Sequence, residues 1–419
     1  MKICLISNLY EPYNRGGAER VVKDTINGLQ NKSEEVFLIT IAPFKNLSSL
    51  KPKLTKENGI KIYRFYPLNI FSYINIDKHN IFSRLLWHLA DIFNCHSYFV
   101  IKKILQTEKP DIVHTHNLKG IGYLIPMVIK KLKIKHVHTI HDIQLASPSG
   151  LMIKGKENNW QQVGFPIKAY SFLCKRLFNS PQIIISPSNW LMDYYTQKVF
   201  FNKSQKIILR NPAKRNENPT ASLESPEMDS NAGMKNSEEG GNYPKSSPNF
   251  IKFLFIGQVE YHKGILFLID VFNSFSNDDA LNINLDVIGD GKALKAAKSL
   301  AKGNISFLGR LSHQDTLKKL KRADLVIMPS LCYENSPNVV LEALGAGKPV
   351  VAADIGGAAE LVESCNGYSF EAGNKEDLIN KIKLAVKNFS SFNPNEIKKT
   401  IDNLGAENYV EKLISLYNR

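Results

Sequence analysis

Short, continuously apolar runs recur along the chain, separated by longer stretches whose apolar positions fall three or four apart. In the first half the runs are Ile3–Ser7, Val36–Ile41, Ile60–Phe65, Ile112–His116, His136–Ile140, Ile183–Pro187 and Ile207–Leu209. In the second half they are Phe253–Gly257, Leu285–Gly289, Ile305–Leu308, Leu325–Pro329 and Val350–Ala353. A strand apolar on both faces and followed by a helix belongs in a parallel sheet covered on both sides. The pattern therefore predicts an α/β protein of two doubly wound, Rossmann-like domains.

Between the halves, residues 212–249 are poor in aliphatics and dense in Pro, Ser, Asn, Gly and Glu. Such a composition buries too little surface to repay its ordering entropy, so it reads as a flexible linker or insertion. This gives an N-terminal domain over 1–211 and a C-terminal domain over 250–419, whose last helix is free to pack back on the first domain. A helical stripe over Ile81–Leu105 places Leu85, Leu86, Leu89, Ile92, Phe93, Phe99, Ile101 and Leu105 near three-to-four spacing. It reads first as a core-packing helix. Its neighbours Lys102, Lys103, Lys130, Lys131, Lys133 and Lys135 leave a membrane-surface role as the second reading.

Charge sharpens the contrast between the halves. Residues 1–210 carry 30 Lys and Arg against 13 Asp and Glu, a net of +17 within a whole-chain charge of +15. A basic half attracts an anionic membrane surface, a phosphorylated substrate or nucleic acid, although no nucleic-acid-binding signature accompanies it. The five cysteines, Cys4, Cys95, Cys174, Cys332 and Cys365, lie far apart without metal spacing, and read as small buried residues of a reducing compartment. The N-terminal apolar stretch is too short for a signal peptide, and no run of about 18 apolar residues occurs. The expectation is a cytoplasmic protein, able to sit peripherally on the inner membrane face.

The densest candidate chemistry follows the Leu325–Pro329 run: Ser330-Leu-Cys-Tyr-Glu334-Asn335-Ser336-Pro337-Asn338, then Glu342 and Ala-Leu-Gly-Ala-Gly-Lys-Pro349. Ser336 suits an N-cap and Pro337 the first helical position, so a helix is expected to open there. Its unpaired N–H groups would face the carboxyl end of the strand, where a diphosphate is favoured. Glu334 before the helix and Glu342 inside it can each accept hydroxyl hydrogen bonds from a sugar or ribose. In the first half, His114 and His116 lie two apart at a strand end, so they share a face.

Glu334-x7-Glu342 before Ala-Leu-Gly-Ala-Gly-Lys-Pro-Val resembles the signature of retaining family 4 (group 1) glycosyltransferases of GT-B fold. That resemblance implies that Glu334 contacts the donor sugar and Glu342 the nucleotide ribose, with Asn335, Ser336, Pro337 and Asn338 lining the same donor site. Asn8–Arg20 resembles the family's glycine-rich loop, with Gly16 and Gly17 admitting a ligand to the backbone. Phe255–Gly264 resembles the first strand and loop of its donor domain, which implies a diphosphate contact for Lys263 beside Gly257. The family's usual arginine is Gln258 here, leaving a neutral hydrogen-bond donor in its place. Phe307–Leu311 matches the region beside the base, with Arg310 at its edge. His116 matches the family's sugar-binding histidine better than His114, and His141-Asp142 is placed towards the acceptor.

The resemblance implies transfer from a UDP-, GDP- or other nucleoside-diphosphate sugar to a hydroxyl of a glycan or lipid-linked acceptor, with retention. The setting it implies is bacterial cell-surface polysaccharide or lipopolysaccharide biosynthesis. Glu334, His116 and Lys263 are the expected catalytic residues; no cofactor and no metal are expected. The competing readings are a glycoside hydrolase, a GT-B sugar-nucleotide epimerase, and a basic nucleic-acid or membrane-binding protein without catalysis.

Overall fold

The computed structural model describes residues 1–13, 16–213, 251–275 and 281–419. Two separate sheets form. The first holds β1 (Lys2–Ile6), β2 (Glu35–Ile41), β3 (Lys53–Glu57), β4 (Ile60–Phe65), β5 (Ile112–Thr115), β6 (Lys135–Thr139), β7 (Ile183–Ser186) and β8 (Gln205–Ile208). Their order is β3-β4-β2-β1-β5-β6-β7-β8. All pairs are parallel except β3–β4, an antiparallel edge hairpin. The second sheet holds β9 (Ile251–Ile256), β10 (Ile283–Ile288), β11 (Ile305–Gly309), β12 (Leu325–Met328), β13 (Val350–Ala353) and β14 (Gly367–Phe370). Its order is β11-β10-β9-β12-β13-β14, parallel throughout.

The expected architecture of two Rossmann-like sheets is therefore present. Two strands were not visible in the apolar pattern. Strand β3, Lys-Leu-Thr-Lys-Glu, is an exposed polar edge with no continuous apolar run. Strand β14 is short, opens on Gly367 and has half-buried Tyr368 and Ser369 between its two buried ends. Each sheet is covered on both faces by apolar clusters, as parallel strands require.

One face of the first sheet carries the Gly17–Asn31 helix together with the last helix, Ala406–Asn418. Tyr409, Val410 and Leu413 of the latter are buried there, so the chain's C-terminal end packs on the N-terminal sheet. Lys135 Nζ donates to the carbonyls of Leu416 and Tyr417 at 3.1 and 2.8 Å, setting a cation at the helix's negative end. Of the 212–249 linker, all but the first two residues lies outside the described residues. Ala213 N donates to Leu404 O at 2.7 Å, beside the start of that last helix.

The Ile81–Leu105 stripe is two helices, Ile81–Ile92 and Cys95–Glu108. Asn94 divides them, its side chain accepting from Ser97 N at 2.9 Å as the second helix's N-cap. The core-packing expectation holds for Ile92, Ile101 and Leu105 of that stripe, which Trp87 joins in the core, but not for its other five positions. Leu85, Leu86, Leu89, Phe93 and Phe99 are exposed, because a full turn of the pattern belongs to the face turned away from the sheet.

Candidate active site

In a doubly wound sheet the crevice lies at the carboxyl ends of the strands where the order reverses. That reversal falls between β1 and β5 in the first sheet and between β9 and β12 in the second. Gly16-Gly17 follow β1 and His116 follows β5, while Lys263 follows β9 and Glu334 follows β12. Four sequence-predicted positions thus occupy both switch points.

Lys263 ends a single 3-10 turn, Tyr261–Lys263, and Gly264 begins the Ile265–Ser274 helix. Gly264 has φ +74°, and a Cβ there would lie 1.9 Å from Pro329 O, so glycine alone permits this turn against the end of β12. Lys263 Nζ makes a short ion pair with Glu334 Oε1, and Ser330 Oγ donates to the same oxygen at 3.0 Å. Burial pushes the Glu334 carboxyl upward, but the ammonium beside it wins and holds it below the ordinary range. The lysine is opposed by burial in the same way, and the carboxylate nonetheless raises it. Both groups are charged at neutral pH, with side chains 24% and 18% exposed.

The helix after Glu334 is Asn338–Gly345, with Pro337 as its N-cap. Expectation placed the cap one residue earlier. Ser336 Oγ caps nothing and is buried without a partner, while Ser336 O accepts from Asn211 Nδ2 at 3.3 Å. Proline at the cap supplies no side-chain acceptor, so the helix mouth keeps its first N–H groups uncapped by side chains. Gly17 faces this mouth, since a Cβ there would meet Asn338 Nδ2 at 2.8 Å. One turn in, Glu342 forms a short ion pair with Arg20 of the opposite domain.

His116 lines the other side. Its Nδ1 shares a hydrogen bond of 2.9 Å with His141 Nε2, and its buried Nε2 has no partner. Its ring stacks on His114 with centroids 4.4 Å apart. His114 itself is occupied by Tyr417 Oη at 2.6 Å and Thr139 Oγ1 at 2.8 Å. Burial pushes His116 well below its usual range and His141 down to about 4, so both rings are neutral at pH 7. Burial drives the adjacent Asp142 up to about 6.

A cavity of about 460 Å³ joins His141 and Asp142 to Lys263, Glu334 and Asn335. A smaller one, about 240 Å³, joins the same His141 and Asp142 to His116. A third, about 270 Å³, holds Arg20, Asn338 and Glu342. Gln258 and Arg310 are exposed on the loops after β9 and β11, and line none of these cavities. Gly257 is half-buried beside Gln258. Asn335 is engaged by the other domain: it accepts from Ser188 Oγ in a short bond and donates to His141 O at 3.1 Å. Among the described residues no group of three or more His, Cys, Asp or Glu could hold a metal ion, and no helix is long and apolar enough to cross a membrane.

The family model described as Glycosyltransferase Family 4 matches residues 15–212, and that described as Glycosyl transferases group 1 matches residues 251–388. Together they take in more than three quarters of the chain. The chain belongs to this family of glycosyltransferases. Over 366 residues it is 29% identical to an uncharacterized 42.6 kDa protein in the cps region of Klebsiella pneumoniae, covering 86% of this chain and 87% of that one. Its fold is similar to sucrose-phosphate synthase from Thermosynechococcus elongatus, with TM-score 0.71 at 15% identity over 100% and 98% of the two chains. It is also similar to Anabaena HepE in complex with UDP-glucose, with TM-score 0.65 at 17% identity over 100% and 99%. The glycosyltransferase thus has the GT-B fold.

Several residues of the glycosyltransferase's cleft escaped sequence reasoning. Arg20 closes the quoted glycine-rich loop, yet nothing local shows that it reaches Glu342. Tyr333, between Cys332 and Glu334, stacks on Trp190 with centroids 5.2 Å apart, and its hydroxyl donates to Glu157 at 2.8 Å. Glu360 accepts from the backbone N of Asn189 and Trp190 at 3.1 and 2.8 Å, serving from the opposite domain as an acceptor at the start of the Asn189–Gln197 helix. Only Ser188, an N-cap after a strand, carried a sequence signal of its own.

Proposed function

We propose that the glycosyltransferase takes its sugar from a nucleoside-diphosphate donor held by the 250–419 domain. The acceptor is a hydroxyl of a glycan or lipid-linked molecule held by residues 1–211. One observation carries this reading: two ion pairs, Lys263–Glu334 and Arg20–Glu342, flank the open mouth of the Asn338–Gly345 helix at the switch point. A diphosphate at that mouth meets uncapped N–H groups and a lysine. It draws Lys263 to itself and frees Glu334 to accept hydroxyl hydrogen bonds from the sugar; the ribose likewise competes with Arg20 for Glu342. Asn335 lines the same donor pocket, while Gly257, Gln258 and Arg310 lie outside it on the loops after β9 and β11.

In the reaction the acceptor oxygen bonds to the anomeric carbon as the bond to the diphosphate breaks. Charge develops on the leaving phosphate, where Lys263 and the helix mouth stabilise it. His116, neutral and with a free Nε2, positions the sugar; His141 and Asp142 face the acceptor. Retention follows when attack occurs on the leaving-group face, with the phosphate oxygen taking the acceptor's proton. The UDP-glucose bound to HepE supports a UDP-sugar as the first donor to try. The relative in a cps region supports a role in bacterial cell-surface polysaccharide synthesis. No cofactor or metal enters this chemistry.

Thermal-shift screening of UDP-, GDP-, ADP- and TDP-sugars tests the donor, since a ligand selective for the folded state raises Tm. Glu334→Ala is expected to lower transfer at least about a hundredfold with nucleoside-diphosphate binding retained. Wild-type turnover by that variant rejects the assignment. Proton NMR of the product's anomeric signal decides retention.

A further inference from the structure

Four helices cover one face of the first sheet: Ile81–Ile92, Cys95–Glu108, Ile125–Lys131 and Phe165–Phe178. The second packs on the third and the third on the fourth, and His88 of the first meets Tyr170 of the fourth edge-on at 6.2 Å. They therefore form one continuous surface, opposite the face that carries the C-terminal helix.

That surface is apolar where a solvated face is normally polar. Phe82 is 78% exposed, Leu86 58%, Phe99 66% and Phe165 83%, with Leu85 and Phe172 beside them in sequence. Exposed apolar side chains on four adjoining helices exceed the scattered single residues that an ordinary surface shows. The charge is equally one-sided. The four helices contain eight Lys and Arg and only two carboxylates. Both carboxylates are buried: Asp91 accepts from Gly120 N, and Glu108 is held by Lys2, Lys61 and Tyr63. These helices carry no exposed acidic side chain, whereas their Lys103, Lys131, Lys168 and Arg176 stand exposed.

We infer that this four-helix face is the protein's docking surface for an anionic phospholipid bilayer. Phenylalanine and leucine side chains enter the boundary between headgroups and acyl chains while the surrounding cations meet the phosphates. A neutral apolar surface would leave the cations unmatched and a purely acidic one the apolar rings; an anionic bilayer matches both over the whole breadth of four helices. The inference rests on the proposed acceptor in one respect. Asp91 ties the Ile81–Ile92 helix to the loop after β5, whose first residue is His116, so a bilayer on this face brings lipid-linked hydroxyls beside the cleft.

The test is flotation of the full chain with vesicles of pure phosphatidylcholine and of phosphatidylcholine containing about one third phosphatidylglycerol. The wild type is expected to float with the anionic vesicles and much less with the neutral ones. Leu86→Glu with Phe99→Glu, and separately Lys131→Glu with Arg176→Glu, should each weaken that partition roughly tenfold. These side chains are exposed, and thermal unfolding should stay at the wild-type temperature. No flotation, or flotation untouched by either pair, overturns the inference. So does oligonucleotide binding tighter than vesicle binding and lost in the Lys131→Glu/Arg176→Glu variant, which would make the face a nucleic-acid surface. A solution dimer dissolved by Leu86→Glu in a protein that ignores vesicles would make it an interface between copies. Calorimetry with UDP-glucose reads the donor site separately, so a failed donor assignment leaves the vesicle result standing.

Discussion

In the proposed donor site Lys263 and Glu334 form one part-buried ion pair. Each charged group is costly to hold in a part-closed cleft unless paired, and each is the other's pair. Binding a diphosphate exchanges one anionic partner of Lys263 for another, so little new desolvation is required. Lys263→Ala should weaken nucleoside-diphosphate binding roughly tenfold to a hundredfold, measured calorimetrically. It also leaves Glu334 without its cation, so the carboxyl's affinity for protons should rise and binding should become more sensitive to acid. Unchanged affinity would remove Lys263 from the diphosphate. Glu334 was legible because strand, loop and helix start follow one another in a short stretch, and Lys263 through the resemblance of Phe255–Gly264. Arg20 was not, since its partner Glu342 stands 322 positions away and is brought near only by closure of the two domains.

At the level of elements, continuous apolar runs announced the buried strands, and failed for β3, exposed on both faces, and for β14, half-buried in its middle. Periodicity also announced the Ile81–Leu105 stripe, and its core partner holds for Ile92, Ile101 and Leu105 but not for its other five positions, because three-to-four spacing records an apolar stripe and not what covers it. Two elements carry predictions. Gly264→Ala forces a Cβ onto Pro329 O at the Lys263 turn, and should cost about 1–3 kcal/mol or more in urea unfolding. An unchanged midpoint would mean that the turn relaxes freely. Strands β5 and β6 and the loops after them bring four buried histidines together with the part-buried His141, and desolvation takes His114 and His136 down to about 3 and His141 to about 4. In the unfolded chain they protonate near 6.5, so between pH 6.5 and 4 the unfolded state binds more protons and stability falls on acidification. Asp142, up at about 6, acts in the opposite sense between 3.8 and 6, because there the native state holds the extra proton. The urea midpoint should therefore drop from pH 7 to pH 5, less steeply in His136→Asn and more steeply in Asp142→Asn. A flat profile would contradict the neutral stack.

Across the whole molecule the two domains differ in charge, in what their switch points present, and in what covers their outer faces, yet they are stitched together at the cleft. Asn335 reaches Ser188 and His141, Tyr333 reaches Trp190 and Glu157, and Glu360 reaches the start of the Asn189–Gln197 helix. Glu360 is the most concentrated of these contacts. It accepts from two backbone N–H groups and the Asn189 side chain, and pairs with Arg210 at 3.3 Å. A carboxylate at a helix N-terminus is favoured by the dipole, and here the helix and the carboxylate belong to different domains, so that preference becomes a force holding the cleft shut. Glu360→Ala removes it while leaving each sheet and every proposed donor contact intact. The expected result is a larger radius of gyration by small-angle scattering, transfer lowered roughly tenfold, and nucleoside-diphosphate affinity near wild type, because closure aligns acceptor with donor and the diphosphate needs only its own domain. Glu360→Gln keeps an acceptor for the N–H groups and should recover part of the loss. If Glu360→Ala scatters and turns over like the wild type, the closed arrangement is held by the remaining contacts and the helix start contributes only locally.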